Sequence, residues 1–116
     1  MMDRWKFLFL AYCGLILYVS SLLPKELPEG SELVSDKFLH LCEYGLFGVL
    51  SWSAFAVRKG IFPWGLVVLG AWFGIFDECW QDWMDNNHVA DVWDIAADAV
   101  GSLLGVVAAQ LFWIKR

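Results

Sequence analysis

The sequence predicts an all-α integral membrane protein, a bundle of four transmembrane helices with both termini in the cytoplasm. Of the 116 residues 59% are hydrophobic and eight are tryptophan, a composition too apolar for a soluble domain of this size. The charged residues are confined to short stretches between four long apolar runs. About 20 mainly apolar residues cross the roughly 30 Å of bilayer hydrocarbon as a helix. Each run is long enough to form one such helix.

The four runs belong to one predicted domain over residues 1–116. The predicted helices cover residues 5–23, 37–57, 61–78 and 94–114. The runs are continuously apolar and do not alternate between apolar and polar residues, so helices explain them better than strands do. The charged stretches between the runs are predicted to be loops.

The first run raises the alternative of a cleaved signal peptide, because Arg4 and Lys6 precede it. Its apolar stretch is longer than the usual core of about 7–15 residues, and the sequence before Pro24 is a poor cleavage site. We therefore expect this run to remain as a helix that ends at Pro24. Ser35 or Asp36 is predicted to cap the second helix.

The distribution of lysine and arginine predicts the orientation. Six of the eight basic residues lie at alternate ends of the helices: Arg4, Lys6, Arg58, Lys59, Lys115 and Arg116. The other ends carry two acidic loops, over residues 24–36 and 79–91. Because basic residues are retained on the cytoplasmic side of the membrane, the acidic loops are predicted to lie outside. The predicted location is the inner (plasma) membrane.

Polar side chains form a stripe at the outer end of three predicted helices. The stripes comprise Asp36, Lys37, His40, Glu43 and Tyr44 on the second helix, Asp77, Glu78 and Gln81 on the third, and Asp94, Asp98 and Ser102 on the fourth. An ionisable residue within a membrane span is costly and usually functional. We therefore expect the stripes to converge on one outward-facing pocket. Glycines on the same faces, at Gly70, Gly74, Gly101 and Gly105, would allow close helix contact.

Three motifs follow one another on these helices. They are Asp36-Lys37-Phe38-Leu39-His40 with Tyr44, Asp77-Glu78-Cys79-Trp80-Gln81-Asp82-Trp83, and Asp94-Ile95-Ala96-Ala97-Asp98-Ala99-Val100-Gly101 with Gly105. Together they resemble the VanZ-like family of membrane proteins over residues 36–105. The resemblance implies a four-helix membrane fold with a site at these positions. The family is associated with glycopeptide resistance, specifically with reduced sensitivity to teicoplanin.

The chain departs from the family pattern after the second motif. Relatives usually carry a turn with an arginine there, whereas this chain reads Met84-Asp85-Asn86-Asn87-His88. If the arginine binds an anionic group in relatives, then His88 substitutes for it or the ligand differs. The role in antibiotic resistance is therefore not carried over to this chain.

Three classes of function remain open at the level of sequence. The first is an enzyme that acts on a cell-envelope or lipid-linked substrate, with His40 as general base or nucleophile and Asp77 or Glu78 as its orienting or acid partner. Its predicted substrate-binding residues are Asp36, Lys37, Tyr44, Gln81, Asp94 and Asp98. The second is a non-catalytic module that binds an envelope ligand or partner. The third is a structural network that sets helix register.

The predicted partners are the lipid bilayer and an envelope or lipid-linked ligand. A basic patch interleaved with aromatic residues is absent, which excludes nucleic acid. No cofactor is identified from the sequence. A divalent cation held by Asp77, Glu78, Asp94 or Asp98 is an open alternative, since oxygen ligands suit magnesium or calcium. The sequence does not determine the oligomeric state.

Overall fold

The computed structural model describes residues 3–22, 32–55, 61–84 and 92–113, and these residues form four α-helices. The helices are α1 (Arg4–Leu22), α2 (Glu32–Phe55), α3 (Trp64–Met84) and α4 (Val92–Trp113). The predicted all-α class with four helices is confirmed. Asp3 caps α1, because its Oδ1 accepts a 2.9 Å hydrogen bond from the backbone N–H of Lys6. This bond lowers the pKa of the Asp3 carboxyl below its usual value.

Helices α2 and α3 extend further into polar sequence than predicted. Helix α2 begins at Glu32 and includes Ser35 and Asp36, so the predicted cap and the predicted start at residue 37 were wrong. Helix α3 likewise continues past residue 78 to Met84. The prediction followed the apolar runs, but a helix satisfies its own backbone hydrogen bonds and continues into polar sequence. The predicted helix ends at residues 23, 57 and 114 lie outside the described residues.

The start of α3 was also wrong, because the helix begins at Trp64 and not at residue 61. Pro63 immediately precedes it, and its carbonyl accepts a 2.9 Å hydrogen bond from the backbone N–H of Leu66. Proline has no N–H to donate and a fixed φ, which suits it to the first turn of a helix and not to the interior.

Side-chain contacts define the directions of the helices. Lys37 contacts Asp94 at one end of α2 and α4, and Trp52 Nε1 donates to Gln110 Oε1 at 2.5 Å towards the other end. These two helices are therefore parallel. Helix α1 runs antiparallel to α2, since Phe9 packs against Phe55 while the Tyr12 hydroxyl donates to the carbonyl of Glu43 at 2.7 Å.

Helix α3 runs parallel to α1 and antiparallel to α4. Near its C-terminal end, Trp80 Nε1 donates to the Leu17 carbonyl of α1 at 3.0 Å. On the side of α4, Gly70 faces Ser102 and Gly74 faces Asp98. The starts of α2 and α4 therefore lie at the same end of the bundle as the C-terminal end of α3.

Glycines bring α2 and α4 into the most extensive helix–helix contact in the described structure. A Cβ added at Gly101 would lie 2.5 Å from the carbonyl oxygen of Leu41, and one at Gly105 would collide with the carbonyl of Gly45. The backbones approach closely because no side chain separates them. The prediction that Gly101 and Gly105 face another helix is confirmed.

An aromatic cluster packs the first three helices together. Phe47 lies between Phe9 of α1 and Phe73 of α3, with ring centroids 5.1 and 5.3 Å away. Tyr44 stacks on Phe47 at 5.5 Å and is completely buried. This cluster supports the polar side chains that lie towards the starts of α2 and α4.

The bundle exposes large apolar side chains and buries polar ones. The buried polar residues are Ser51, Asp77, Glu78, Asp94, Asp98 and Ser102. Exposed apolar residues occur on every helix, among them Phe7, Leu15, Phe38, Leu39, Trp72, Phe76, Leu104 and Phe112. Among the described residues one helix, over Val92–Phe112, is long and apolar enough to cross a membrane, with a mean hydropathy of 1.8.

Candidate functional site

The candidate site lies where the polar stripes of α2, α3 and α4 meet. Lys37 and His40 are in the first half of α2, Asp94 and Asp98 are in the first two turns of α4, and Asp77 and Glu78 precede the C-terminal end of α3. The parallel pairing of α2 with α4, and the antiparallel course of α3, bring these segments to the same level. The described residues of the three predicted stripes come together here, and an outward-facing pocket stays a prediction.

His40 is held by Asp98. Nδ1 of His40 lies 2.7 Å from Oδ1 of Asp98, which is fully buried. When Asp98 is ionised its oxygen can only accept, and the proton of a neutral imidazole is then on Nδ1. Gly74 makes room for the carboxylate, since a Cβ at that position would lie 2.7 Å from Oδ2 of Asp98. The small residue on α3 is therefore a requirement of the site.

Asp94 contacts both basic residues of α2, each through a different oxygen. Lys37 Nζ donates to Oδ1 of Asp94. The second oxygen, Oδ2, lies 3.8 Å from Nε2 of His40. His40 is thus flanked by Asp98 on the Nδ1 side of its ring and by Asp94 on the Nε2 side.

Glu78 adds a third acidic group close to the imidazole. One nitrogen of His40, one oxygen of Glu78 and one oxygen of Asp94 all lie within 4.8 Å of one another. Since Nδ1 is bonded to Asp98, Nε2 is the nitrogen available to this group. Glu78 is only 1% exposed, so its carboxylate is held inside the bundle.

Asp77 lies beside Glu78 on α3 but has a different contact. The Tyr44 hydroxyl donates to Oδ2 of Asp77 at 3.3 Å, and both side chains are buried. Tyr44 was predicted to bind substrate. Its hydroxyl is directed to Asp77 and ties α2 to α3, and its role in substrate binding stays a prediction.

The site carries more acidic than basic groups. Four acidic residues of the site are buried, with at most 6% of the whole residue exposed: Asp77, Glu78, Asp94 and Asp98. Lys37 and His40 are the basic residues described beside them. The side chains of Lys37 and His40 remain 26% and 13% exposed. The exposed part of the site therefore lies on α2.

These residues were predicted from the sequence, but their pairing was not. Asp77 or Glu78 was predicted to orient His40, whereas the described contact to Nδ1 comes from Asp98. One signal could have shown it: Lys37 and His40 are one turn apart on α2, and Asp94 and Asp98 are one turn apart on α4. In two parallel helices with this spacing, Lys37 lies opposite Asp94 and His40 lies opposite Asp98. The side chains of Asp36 and Gln81, and all of His88, lie outside the described part of the chain.

Comparison with known proteins does not assign the chain to a family. No protein-family model matches it, and no curated protein or solved structure does either.

Proposed function

We propose that this chain is a VanZ-like membrane protein of four spanning helices that acts as an enzyme on a lipid-linked or other envelope substrate at the extracytoplasmic face. His40 is the general base and Asp98 its orienting residue. The observation that carries this proposal is the buried 2.7 Å contact between His40 Nδ1 and Asp98 Oδ1. When Asp98 accepts this hydrogen bond, Nε2 carries the lone pair of the ring that can take a proton from a substrate.

The surface of the bundle supports the membrane location. In water, large apolar patches on a folded protein are unfavourable and usually mark an interface. Here they occur on all four helices, while four carboxylates are buried between them. Lipid around the bundle accounts for both features, since hydrocarbon favours the apolar side chains and polar groups then face other helices.

The surroundings of His40 support an amphiphilic substrate. Phe38 and Leu39 lie between Lys37 and His40 on α2 and are 61% and 63% exposed. The polar site is therefore level with an apolar outer surface. A substrate with a polar head and an acyl or prenyl chain could place its head beside His40 while its chain stays in the bilayer.

The geometry supports catalysis by a histidine–carboxylate pair. An acidic partner on Nδ1 fixes the ring tautomer and stabilises the imidazolium that forms when Nε2 accepts a proton. Such general base catalysis contributes typically about 10²–10⁴-fold to a rate. Replacing His40 or Asp98 should therefore lower the turnover rate far more than it weakens substrate binding.

The proposal is tested with purified protein in lipid nanodiscs. The protein is incubated with a lipid extract of bacterial envelopes, and conversion of lipid-linked species is followed by mass spectrometry. The wild-type protein should convert one species, whereas His40→Gln should retain that species bound without converting it. Asp3→Asn is the control, because Asp3 lies at the opposite end of the bundle and asparagine also caps helices.

Two outcomes would contradict the proposal. Equal conversion by wild type and His40→Gln would remove His40 from the chemistry. Binding of a lipid by the wild type with no conversion would make the protein a non-catalytic binding module, the alternative predicted from the sequence. Folding of each variant is checked by helical circular dichroism and by gel filtration.

A further inference from the structure

The imidazole of His40 lies between a partner that orients it and two carboxylates that converge on its other side. Asp98 occupies Nδ1. On the other side of the ring, Nε2 lies 3.8 Å from Asp94 Oδ2. One nitrogen of His40, one oxygen of Asp94 and one oxygen of Glu78 all lie within 4.8 Å of one another. One neutral nitrogen and two carboxylate oxygens are donors typical of a divalent metal site.

We propose that His40, Glu78 and Asp94 bind one divalent transition-metal ion, with zinc the best match to the donor set. The inference rests on the same site as the proposed function but gives Nε2 of His40 a different role, since a nitrogen bound to zinc cannot also accept a proton from a substrate. With three protein ligands, a fourth position stays open for water or a polar group of the substrate. This arrangement is that of a catalytic zinc site.

The groups around the three ligands support the assignment. Histidines that bind metals almost always donate their other N–H to a carboxylate or carbonyl, and His40 has such a contact with Asp98. Asp94 is oriented in a similar way, since Lys37 binds its Oδ1 and leaves Oδ2 directed towards His40. Both ligand atoms are therefore aimed at the same space by residues that do not bind the metal themselves.

The charge of the site points in the same direction. Four buried carboxylates face one lysine and one histidine among the described residues. Asp98 is 0% exposed, and its Oδ2 accepts no hydrogen bond in the part of the chain that the structure describes. A cation between His40, Glu78 and Asp94 would compensate this negative charge inside the bundle.

The ligand set differs from the one predicted from the sequence. Asp77 was among the predicted ligands, but its Oδ2 accepts the Tyr44 hydroxyl. The imidazole takes its place, and imidazole favours zinc and similar metals over magnesium or calcium. Ligand atoms in a tetrahedral zinc site are about 3.4 Å apart. The His40–Asp94 separation of 3.8 Å is already close to this value.

The experiment measures metal on the full chain in detergent micelles. The protein is stripped with EDTA, dialysed against zinc chloride and then against buffer, and zinc per chain is measured by inductively coupled plasma mass spectrometry. We expect one zinc per chain, and at least tenfold weaker zinc binding in His40→Gln, Glu78→Gln and Asp94→Asn. Asp77→Asn is the matched control, a buried neighbouring carboxylate that should retain the zinc.

A spectroscopic measurement on the wild type provides an independent test that needs no variant to fold. Cobalt bound at a tetrahedral site with nitrogen and oxygen donors should give intense visible absorption bands, and excess zinc should abolish them. Absence of zinc from the wild type, or its retention in His40→Gln, would overturn the proposal. Equal loss of zinc in Asp77→Asn would overturn the ligand assignment.

The metal and the catalytic proposal can fail separately. If the wild type binds no zinc but still converts lipid in a His40-dependent manner, the metal site is refuted and the enzyme stands. If zinc is bound through these three residues and no lipid is converted, the metal site stands and the catalytic proposal fails.

Discussion

His40 and Asp98 are 58 positions apart in the chain and join α2 to α4 through a 2.7 Å contact between Nδ1 and Oδ1. The contact lies beside the glycine-lined interface in which Gly101 and Gly105 meet the backbone of α2. Close approach of the two helices and the pairing of His40 with Asp98 are thus parts of one arrangement. Disturbing either should affect both the stability of the bundle and the site.

Replacing Asp98 with asparagine should destabilise the bundle by about 1.5–3 kcal/mol, the typical contribution of a hydrogen bond to a charged group, because the amide is a weaker acceptor for His40 Nδ1. The measurement is unfolding in mixed micelles. Histidine ¹⁵N NMR should show that His40 loses its single tautomer. Asp3→Asn, at an exposed position, should leave the unfolding curve unchanged. An Asp98→Asn protein with wild-type stability and an unchanged histidine spectrum would contradict the pairing.

Replacing Gly105 with leucine should cost about 3 kcal/mol or more, because the new side chain would collide with the backbone of α2. The matched control is Gly14→Ala on α1, where an added Cβ meets nothing within 4 Å. Alanine at this position should be neutral or stabilising, since it favours helix over glycine. Thermal unfolding in detergent compares the two. Equal stability of Gly105→Leu and wild type would mean that this face of α4 meets lipid.

Replacing Tyr44 with phenylalanine removes the hydroxyl that donates to Asp77 and keeps the stacking on Phe47. The expected loss is about 1–3 kcal/mol, the cost of leaving a buried acceptor without its donor. Tyr18→Phe on the outer face of α1, where the side chain is 62% exposed, should change stability far less. Chemical denaturation of both variants is the measurement. A larger effect at Tyr18 would contradict the importance of the Tyr44–Asp77 contact.

The orientation in the membrane is tested with reporter fusions. Since six of the eight basic residues lie at the ends that include both termini, green fluorescent protein after Arg116 should be fluorescent. Alkaline phosphatase should be active when inserted in the acidic segment after Asp85 and inactive after Arg116. The reverse pattern would place the polar site on the cytoplasmic side and would refute an extracytoplasmic substrate.

Much of the architecture follows from local patterns in the chain. Apolar runs of sufficient length predicted four helices, because each run can satisfy its own backbone hydrogen bonds. A spacing of three and four residues predicted that Lys37 and His40 share one face of α2, and Gly101 and Gly105 one face of α4. These features depend only on the helical period, which a single segment already contains.

The pairing across the site was decided by the tertiary structure. Three contacts depend on which helices are neighbours and on their register. They are the contact of His40 with Asp98, the contact of Tyr44 with Asp77, and the contacts of the two Asp94 oxygens with Lys37 and His40. The helical period determines the face of a helix on which a side chain lies. Its contact partner on another helix depends on how the two helices pack, and this packing is a property of the whole bundle.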